Sequence, residues 1–197
     1  PTVLFDNYIK KNPNVAYVGT DSFEGIDSAI EHLAALGHKR IAFLNGSPNS
    51  MVSDQRLQAY IDSLASHTLE YNEKLTAYSY YVVENAKYHV PVFLEEGATA
   101  ILCSNDYLAS GVIAECKLRG LRVPEDISVI GFDDLPVSTE IDPPLTTIRQ
   151  DRIELGKCAY FAMNCQINHV SISRTMLRAQ YIERSSTAPP KINKNML

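Results

Sequence analysis

No stretch of the 197 residues approaches about 18 consecutive apolar positions, so nothing in the chain reads as a membrane span. Positive charge is not in surplus either. The 18 Lys and Arg face 23 Asp and Glu, a formal net charge of −5, which argues against a chain that is itself a nucleic-acid-binding surface. The four cysteines, Cys103, Cys116, Cys158 and Cys165, form no CxxC, which argues against a zinc knuckle or a disulfide framework. Cys158 and Cys165 stand two helical turns apart, roughly 10 Å along the axis, too far to bridge. The expectation is reduced, mostly buried thiols in a cytoplasmic protein. GxSxG, HExxH, the P-loop and GxGxxG are all missing, so the common hydrolase, metalloprotease and nucleotide signatures are excluded and no cofactor is expected. The start, Pro1-Thr2-Val3-Leu4-Phe5-Asp6, lacks a charged n-region and a long apolar h-region; it reads as a strand entered in mid-sheet, as in a fragment of something longer.

What the chain does have is enough apolar residue, 45%, for a real core, in short runs that alternate with amphipathic stretches. Strands are expected at 3–5, 15–18, 41–44, 77–81, 100–103, 128–132, 145–148 and 176–182. Ser22 to Leu36 carries Ile26, Ala29, Ile30, Leu33 and Leu36 on one face, with Gly37 where a left-handed cap belongs. Asp54 to Ser66, Asp106 to Arg119 and Asp151 to Ile167 repeat the helical pattern, and Glu84 to Glu96 does so with Pro91 inside it, which predicts a kink or a late start. His38, following Gly37, is expected to act as a cation at a helix C-terminus rather than in catalysis. The fold class that follows is α/β, with a mostly parallel sheet covered on both faces. Thr187 to Leu197 reads as a flexible tail.

In such a sheet a ligand lies beyond the carboxyl ends of the strands. Those ends are followed by Asp6-Asn7, Asn45-Gly46-Ser47, Ser104-Asn105-Asp106 and Asp133-Asp134, and the helix after Asn45 carries Arg56 in its first turn. Carboxylates, amides and one guanidinium suit a neutral, hydroxyl-rich ligand, and Tyr78, Tyr80 and Tyr81 offer aromatic faces near the same rim. Ser104-Asn105-Asp106 reads equally as a helix N-cap, and Asp133-Asp134 as a turn. No metal site is expected of the aspartate pair, since neither a nucleophile nor a phosphate loop accompanies it.

The stretch from Arg119 to Asp134, with Val123-Pro124-Glu125-Asp126-Ile127-Ser128-Val129-Ile130-Gly131-Phe132-Asp133-Asp134 at its heart, followed by Pro143-Pro144-Leu145-Thr146-Thr147-Ile148, resembles the lactose/galactose repressor (LacI/GalR) family of transcription regulators. So do Ala35-Leu36-Gly37-His38-Lys39-Arg40-Ile41-Ala42, Arg56-Leu57-Gln58-Ala59-Tyr60 and Cys103-Ser104-Asn105-Asp106, in the family's order, over Pro1 to about Ser186. The resemblance implies a periplasmic-binding-protein-like (type I) parallel-sheet fold: one nearly complete subdomain plus remnants of a second. Residues 1–17 would be a remnant of the N-terminal subdomain, 18–149 the C-terminal effector-binding subdomain, 150–175 a return segment of the first, 176–186 the closing strand and 187–197 the tail. Matched position by position, Asp133 is the effector-binding carboxylate, Asn105 the amide, Arg56 the guanidinium, Asp6 the carboxylate of the other subdomain, Gln150 a crossover residue beside the ligand and Tyr81 a stacking aromatic.

The implied function is that of a non-enzymatic ligand-sensing core, in which a small effector, a saccharide foremost, changes the affinity of the whole protein for operator DNA. That DNA would be bound through a helix-turn-helix domain absent from this chain. A homodimer paired through the helix at 106–119 and Ile141 is implied as well. A sugar-binding protein of a transport system shares the same cleft chemistry, and a small α/β enzyme using Asp133 or Asp106 would need a nucleophile the sequence does not display. Three departures from the family stand out: no helix-turn-helix and little of the N-terminal subdomain, Ser47 to Ser53 in place of the usual small polar contacts, and Pro91 within Val82 to Val92.

Overall fold

The computed structural model describes residues 1–6, 15–170, 172 and 174–191. Four short strands make the central sheet, β3 (Ile41–Asn45), β5 (Ala100–Cys103) and β6 (Ser128–Ile130) wholly buried and β4 (Thr76–Tyr78) half-buried at the edge, all parallel in the order β4-β3-β5-β6. Continuous apolar runs such as Ile41-Ala42-Phe43-Leu44 suit this position because both faces are covered. On one face α1 (Ser22–Ala35) and α2 (Met51–Ser66) bury Ile26, Ile30, Leu33, Tyr60 and Leu64 against Phe43 and Leu102. On the other, α3 (Ala86–Glu95) and α4 (Asp106–Leu118) bury Val90, Phe93, Leu108, Val112 and Cys116 against Leu44, Ile101 and Val129. A second parallel sheet, in the order β1-β2-β8, is formed by β1 (Thr2–Phe5), β2 (Val15–Asp21) and β8 (Arg174–Arg178), and α6 (Arg152–Ile167), which follows the one-turn α5 (Val137–Glu140) in sequence, packs Leu155 and Ala162 on Ala16 and Val18. Among the described residues no helix is long and apolar enough to cross a membrane.

The two sheets meet at a two-stranded antiparallel ribbon, β7 (Thr147–Arg149) against β9 (Gln180–Ile182). Ala179 alone separates β8 from β9, so the single strand expected at 176–182 is two, one in the second sheet and one in the ribbon, and β2 runs straight into α1. Gly25 of α1 lies against this ribbon. A Cβ there would come within 2.4 Å of Ile148 and 2.8 Å of Ala179, so only glycine lets the helix press down on the crossovers. Past β6 the chain keeps pairing with β7, Gly131 N to Thr146 O at 2.9 Å and Asp133 N to Ile148 O at 2.7 Å, which ties the sheet edge to the ribbon.

Several local expectations need correction. The strand expected at 77–81 stops at Tyr78, because Ser79 to Val82 is a tight turn, Val82 N to Ser79 O at 3.0 Å, with Tyr80 and Tyr81 both left-handed (φ 57° and 58°). α2 begins at Met51, which moves Arg56 into the second turn. Pro91 sits inside α3 without ending it, and the late start is seen as a 3₁₀ turn at Val83–Asn85. Two of the thiols, Cys103 and Cys116, are buried, while Cys158 and Cys165 are half-exposed; all four are free.

The segment from Thr187 is not loose where it is described. His38 is 1% exposed rather than a surface cation; its Nδ1 lies 2.8 Å from Thr99 Oγ1 and its Nε2 2.9 Å from the carbonyl of Ala188. Ser128 Oγ donates to that carbonyl too, His32 Nε2 lies 3.0 Å from Thr187 Oγ1, and Lys191 is bonded to Asp126. Residues 192–197 lie outside the described part. The helix α1 does close as expected, turning at Gly37 with His38 N bonded to Leu33 O. Burial, however, pushes the His38 pKa down, so this imidazole clasps the strap in its neutral form, and the cation expected on the helix dipole is not there.

Because the folded pKa of His38 lies below the unfolded value of about 6.5, the unfolded chain binds the extra proton first, and stability falls as pH drops below that value. His38→Gln should therefore flatten the decline: the urea midpoint of the native chain should fall more between pH 7.5 and pH 5 than that of the variant. Parallel curves would show that His38 is not the neutral clasp.

Candidate effector site at the strand ends

The carboxyl ends of β3, β5 and β6 bring together the polar residues that follow them, and α2 adds Arg56. Arg56 is 5% exposed, so its charge must be met inside the protein. Nη2 stands 3.6 Å from Asp133 Oδ1, Nη1 donates to the carbonyl of Ser104, and the guanidinium carbon lies 3.7 Å from the centroid of the Phe132 ring. That stacking is a cation–π contact on a residue the sequence marks only as strand core. Gln150 reaches the same carboxylate from the crossover, with Nε2 donating to Asp133 Oδ1 at 2.5 Å. Asp6 lies across from the pair, close enough that the Arg56 charge lowers its pKa and its own charge raises that of Asp133. Burial outweighs these couplings: it lifts Asp6 and Asp133 above the usual carboxylate range, against Arg56 in both cases.

Asn105 caps α4, Oδ1 accepting from Leu108 N at 2.8 Å, so its remaining polar group is the amide donor. Asp106 next to it is fully buried. It accepts from Thr147 Oγ1 at 2.5 Å and from Leu135 N at 2.6 Å, and burial raises its pKa to about 6; it is a structural carboxyl beneath the site. Tyr81 stands over Gly46, and its hydroxyl is 3.5 Å from Ser53 Oγ. Tyr78 ends β4, and Tyr80 points its ring outward, 61% exposed. The structure thus gathers Arg56, Asp133 and Gln150 in direct contact, sets Asp6 within their field, and places Asn105 and Tyr81 on neighbouring strand ends.

Three buried polar atoms of this cluster have no hydrogen-bond partner among the described residues: Arg56 Nε, Ser104 Oγ and Gln150 Oε1. Each unpaired group costs about 1–3 kcal/mol, so a donor, an acceptor and a hydroxyl all stand ready for a molecule carrying both kinds of partner. No group of three or more His, Cys, Asp or Glu able to hold a metal is found among the described residues.

Residues 30–187 match the family model described as a periplasmic binding protein-like domain. The chain is 30% identical over 191 residues to the HTH-type transcriptional repressor CytR of Escherichia coli K12, covering 95% of this chain and 56% of CytR. A crystal structure of a sugar-binding transcriptional regulator of the LacI family from E. coli, complexed with phosphate, superposes with a TM-score of 0.82 at 30% identity, covering 94% of this chain and 68% of the other. The chain belongs to the LacI family. A LacI-family regulator from Enterococcus faecium with bound ribose matches with a TM-score of 0.85 at 28% identity, over 97% of this chain and 72% of that one. These relatives are transcriptional regulators, not enzymes. The chain spans about half the length of the curated relatives it matches.

Nothing in the sequence marks Phe132 as a cation platform, Gly46 as the floor under Tyr81, or the partners of Asp134. Arg149 Nε and Arg184 Nη2 each donate to that carboxylate at 2.6 Å, and Ser138 Oγ at 3.1 Å. Burial raises the Asp134 pKa, but these hydrogen bonds and the Arg184 charge prevail and hold it below the usual range. Arg184 lies 50 residues away in sequence, with no motif to point to it.

A Cβ at Gly46 would sit 2.1–2.4 Å from three atoms at the far end of the Tyr81 side chain. Gly46→Ala should therefore swing that ring aside rather than break the fold, at about 1 kcal/mol or less, and the loss should vanish in a Tyr81→Ala background, a coupling read from urea denaturation. Equal losses in both backgrounds would contradict the contact.

Proposed function

We propose that this chain is the ligand-sensing core of a LacI-type transcriptional regulator, probed by a small polar metabolite, a saccharide foremost, in the cleft edged by Asp133, Arg56, Gln150, Asn105, Tyr81 and Asp6. The observation that carries this reading is the cluster of unpartnered buried atoms around the Arg56–Asp133 pair. A sugar offers vicinal hydroxyls, each both donor and acceptor, and a C–H face for an aromatic ring, which is what carboxylate, amide, guanidinium and Tyr81 together can take. The neighbouring Arg149 and Arg184 are taken up by Asp134, which favours an uncharged ligand over a sugar phosphate. The bound ribose of the E. faecium relative agrees with that preference.

In this reading residues 1–17 and 150–175 belong to an N-terminal subdomain, and 18–149 with 176–186 to the effector-binding one. The ligand bridges the two. It alters operator affinity, in the cytoplasm, only by as much as its affinity differs between the two arrangements of the subdomains. DNA is reached through a helix-turn-helix in the rest of the protein. The outward face of α4, with Tyr107 and Leu118 exposed, supports pairing into a homodimer.

A thermal-shift screen of the intact protein against mono- and disaccharides, sugar phosphates and nucleobases tests the site. Ligand at about 100 times Kd adds roughly 2.7 kcal/mol, a Tm rise on the order of 5–10 °C for a chain of this size. Asp133→Asn, which tolerates the left-handed φ of 104° as well as Asp does, should abolish the shift while leaving fold and operator binding in place. A shift retained in that variant would remove Asp133 from the site, and no shift with any compound would contradict a metabolite sensor.

A further inference from the structure

Two successive aspartates, Asp133 and Asp134, adopt left-handed backbone conformations, φ 104° and 53°, at the point where β6 ends. Non-glycine residues hold such conformations only where their surroundings over-determine them. Asp133 supplies a backbone bond to Ile148 and the carboxylate that pairs with Arg56. What fixes the pair is Asp134. Its side chain is 11% exposed and gripped on both oxygens, Oδ2 by Arg149 from β7 and Oδ1 by Arg184 just beyond β9, while Arg152 Nη2 lies 3.4 Å from its carbonyl. Arg184 is itself anchored, Nη1 donating to Leu145 O at 2.7 Å and to Ser138 Oγ at 3.1 Å. One carboxylate thus ties both strands of the crossover ribbon to the loop that carries Asp133. The residue after Arg149 is Gln150, whose amide donates to Asp133.

We propose that Asp134 is the positioning residue of the site: by holding Arg149 and Arg184 it sets the Asp133 carboxylate against Gln150 and locks it to both crossover strands. A ligand that takes Asp133 then competes directly with Gln150, and the crossover feels the exchange. This rests on Asp133 being the ligand-binding carboxylate, but its geometry is testable without any ligand.

The test is side-chain amide NMR of the ligand-free, ¹⁵N-labelled chain, with the Gln150 signals assigned by their loss in Gln150→Glu. Asp134→Asn keeps the size and the tolerance of left-handed φ while removing the charge the arginines grip. In that variant the Gln150 amide protons should exchange with water at least about tenfold faster, as expected for a lost hydrogen bond, while amides of β3 and α1 keep their protection. Arg184→Lys, which keeps the charge but not the fork, should give an intermediate change. Unchanged Gln150 exchange in folded Asp134→Asn would overturn the proposal, as would equal losses across β3 and α1, the mark of a merely stabilising ion cluster. Should Asp134→Asn not fold, Arg149→Lys is read in the same way, and unchanged Gln150 exchange there overturns it too. A saccharide screen that finds no binder, beside a positive amide result, would sink the ligand reading and leave the clamp standing.

Discussion

A buried guanidinium is the constraint around which the strand ends are arranged. Removing an unpaired charge from water costs far more than the few kcal/mol by which a domain is stable, so Arg56 can lie inside only with its charge answered on several sides. Asp133 answers it with charge, the Ser104 carbonyl with a hydrogen bond and Phe132 with an aromatic face. Ser104 sits just past the end of β5, and Phe132 and Asp133 lie together on the continuation of β6. The pair is not fully satisfied by protein alone, since Nε has no partner among the described residues. The core thus fixes where the cation is and leaves one of its donors over, the donor that the proposed ligand would take.

The second feature of consequence is how little chain joins the two sheets. β2 passes into α1 without a loop, β8 and β9 are separated by Ala179, and β7 leads through Arg149 and Gln150 to α6. Gly25 lets α1 lie on this ribbon, and Asp134 holds it from the other side with Arg149 and Arg184. Gln150 is thus next in sequence to Arg149 of the ribbon, and Asp133 is hydrogen-bonded through its backbone to Ile148 within it. On the proposed reading, a ligand taken by Asp133 would act directly at this junction rather than through a long chain of contacts.

Much of this was legible beforehand because it depends on local pattern. Runs such as Ile41-Ala42-Phe43-Leu44 can only be doubly covered strands, and polar residues directly after them fall at the sheet edge whatever the details of packing. Arg56, Asn105 and Asp133 stand out as candidates in that way, and the family resemblance adds weight to Asp6, Gln150 and Tyr81. What failed was what depends on distant partners. His38 looks like a surface cation until Ala188, 150 residues on, is seen to accept from it in the interior. The segment from Thr187 looks loose by composition, yet its backbone is bound by Ser128 and His38. Tyr80 and Tyr81 favour a strand by propensity, but Ser79 closes a turn across them. The Asp134 clamp had no signal at all, because its arginines belong to no motif and meet only when the ribbon forms.

The most direct measurement of the central claim is the ¹H–¹⁵N signal of Arg56 Nε followed while the chain is titrated with monosaccharides and disaccharides. A sheltered donor without a partner should move early and saturably when a sugar hydroxyl arrives, together with the Gln150 amide. Saturable binding that moves signals elsewhere in the molecule and leaves Arg56 and Gln150 still would contradict the account.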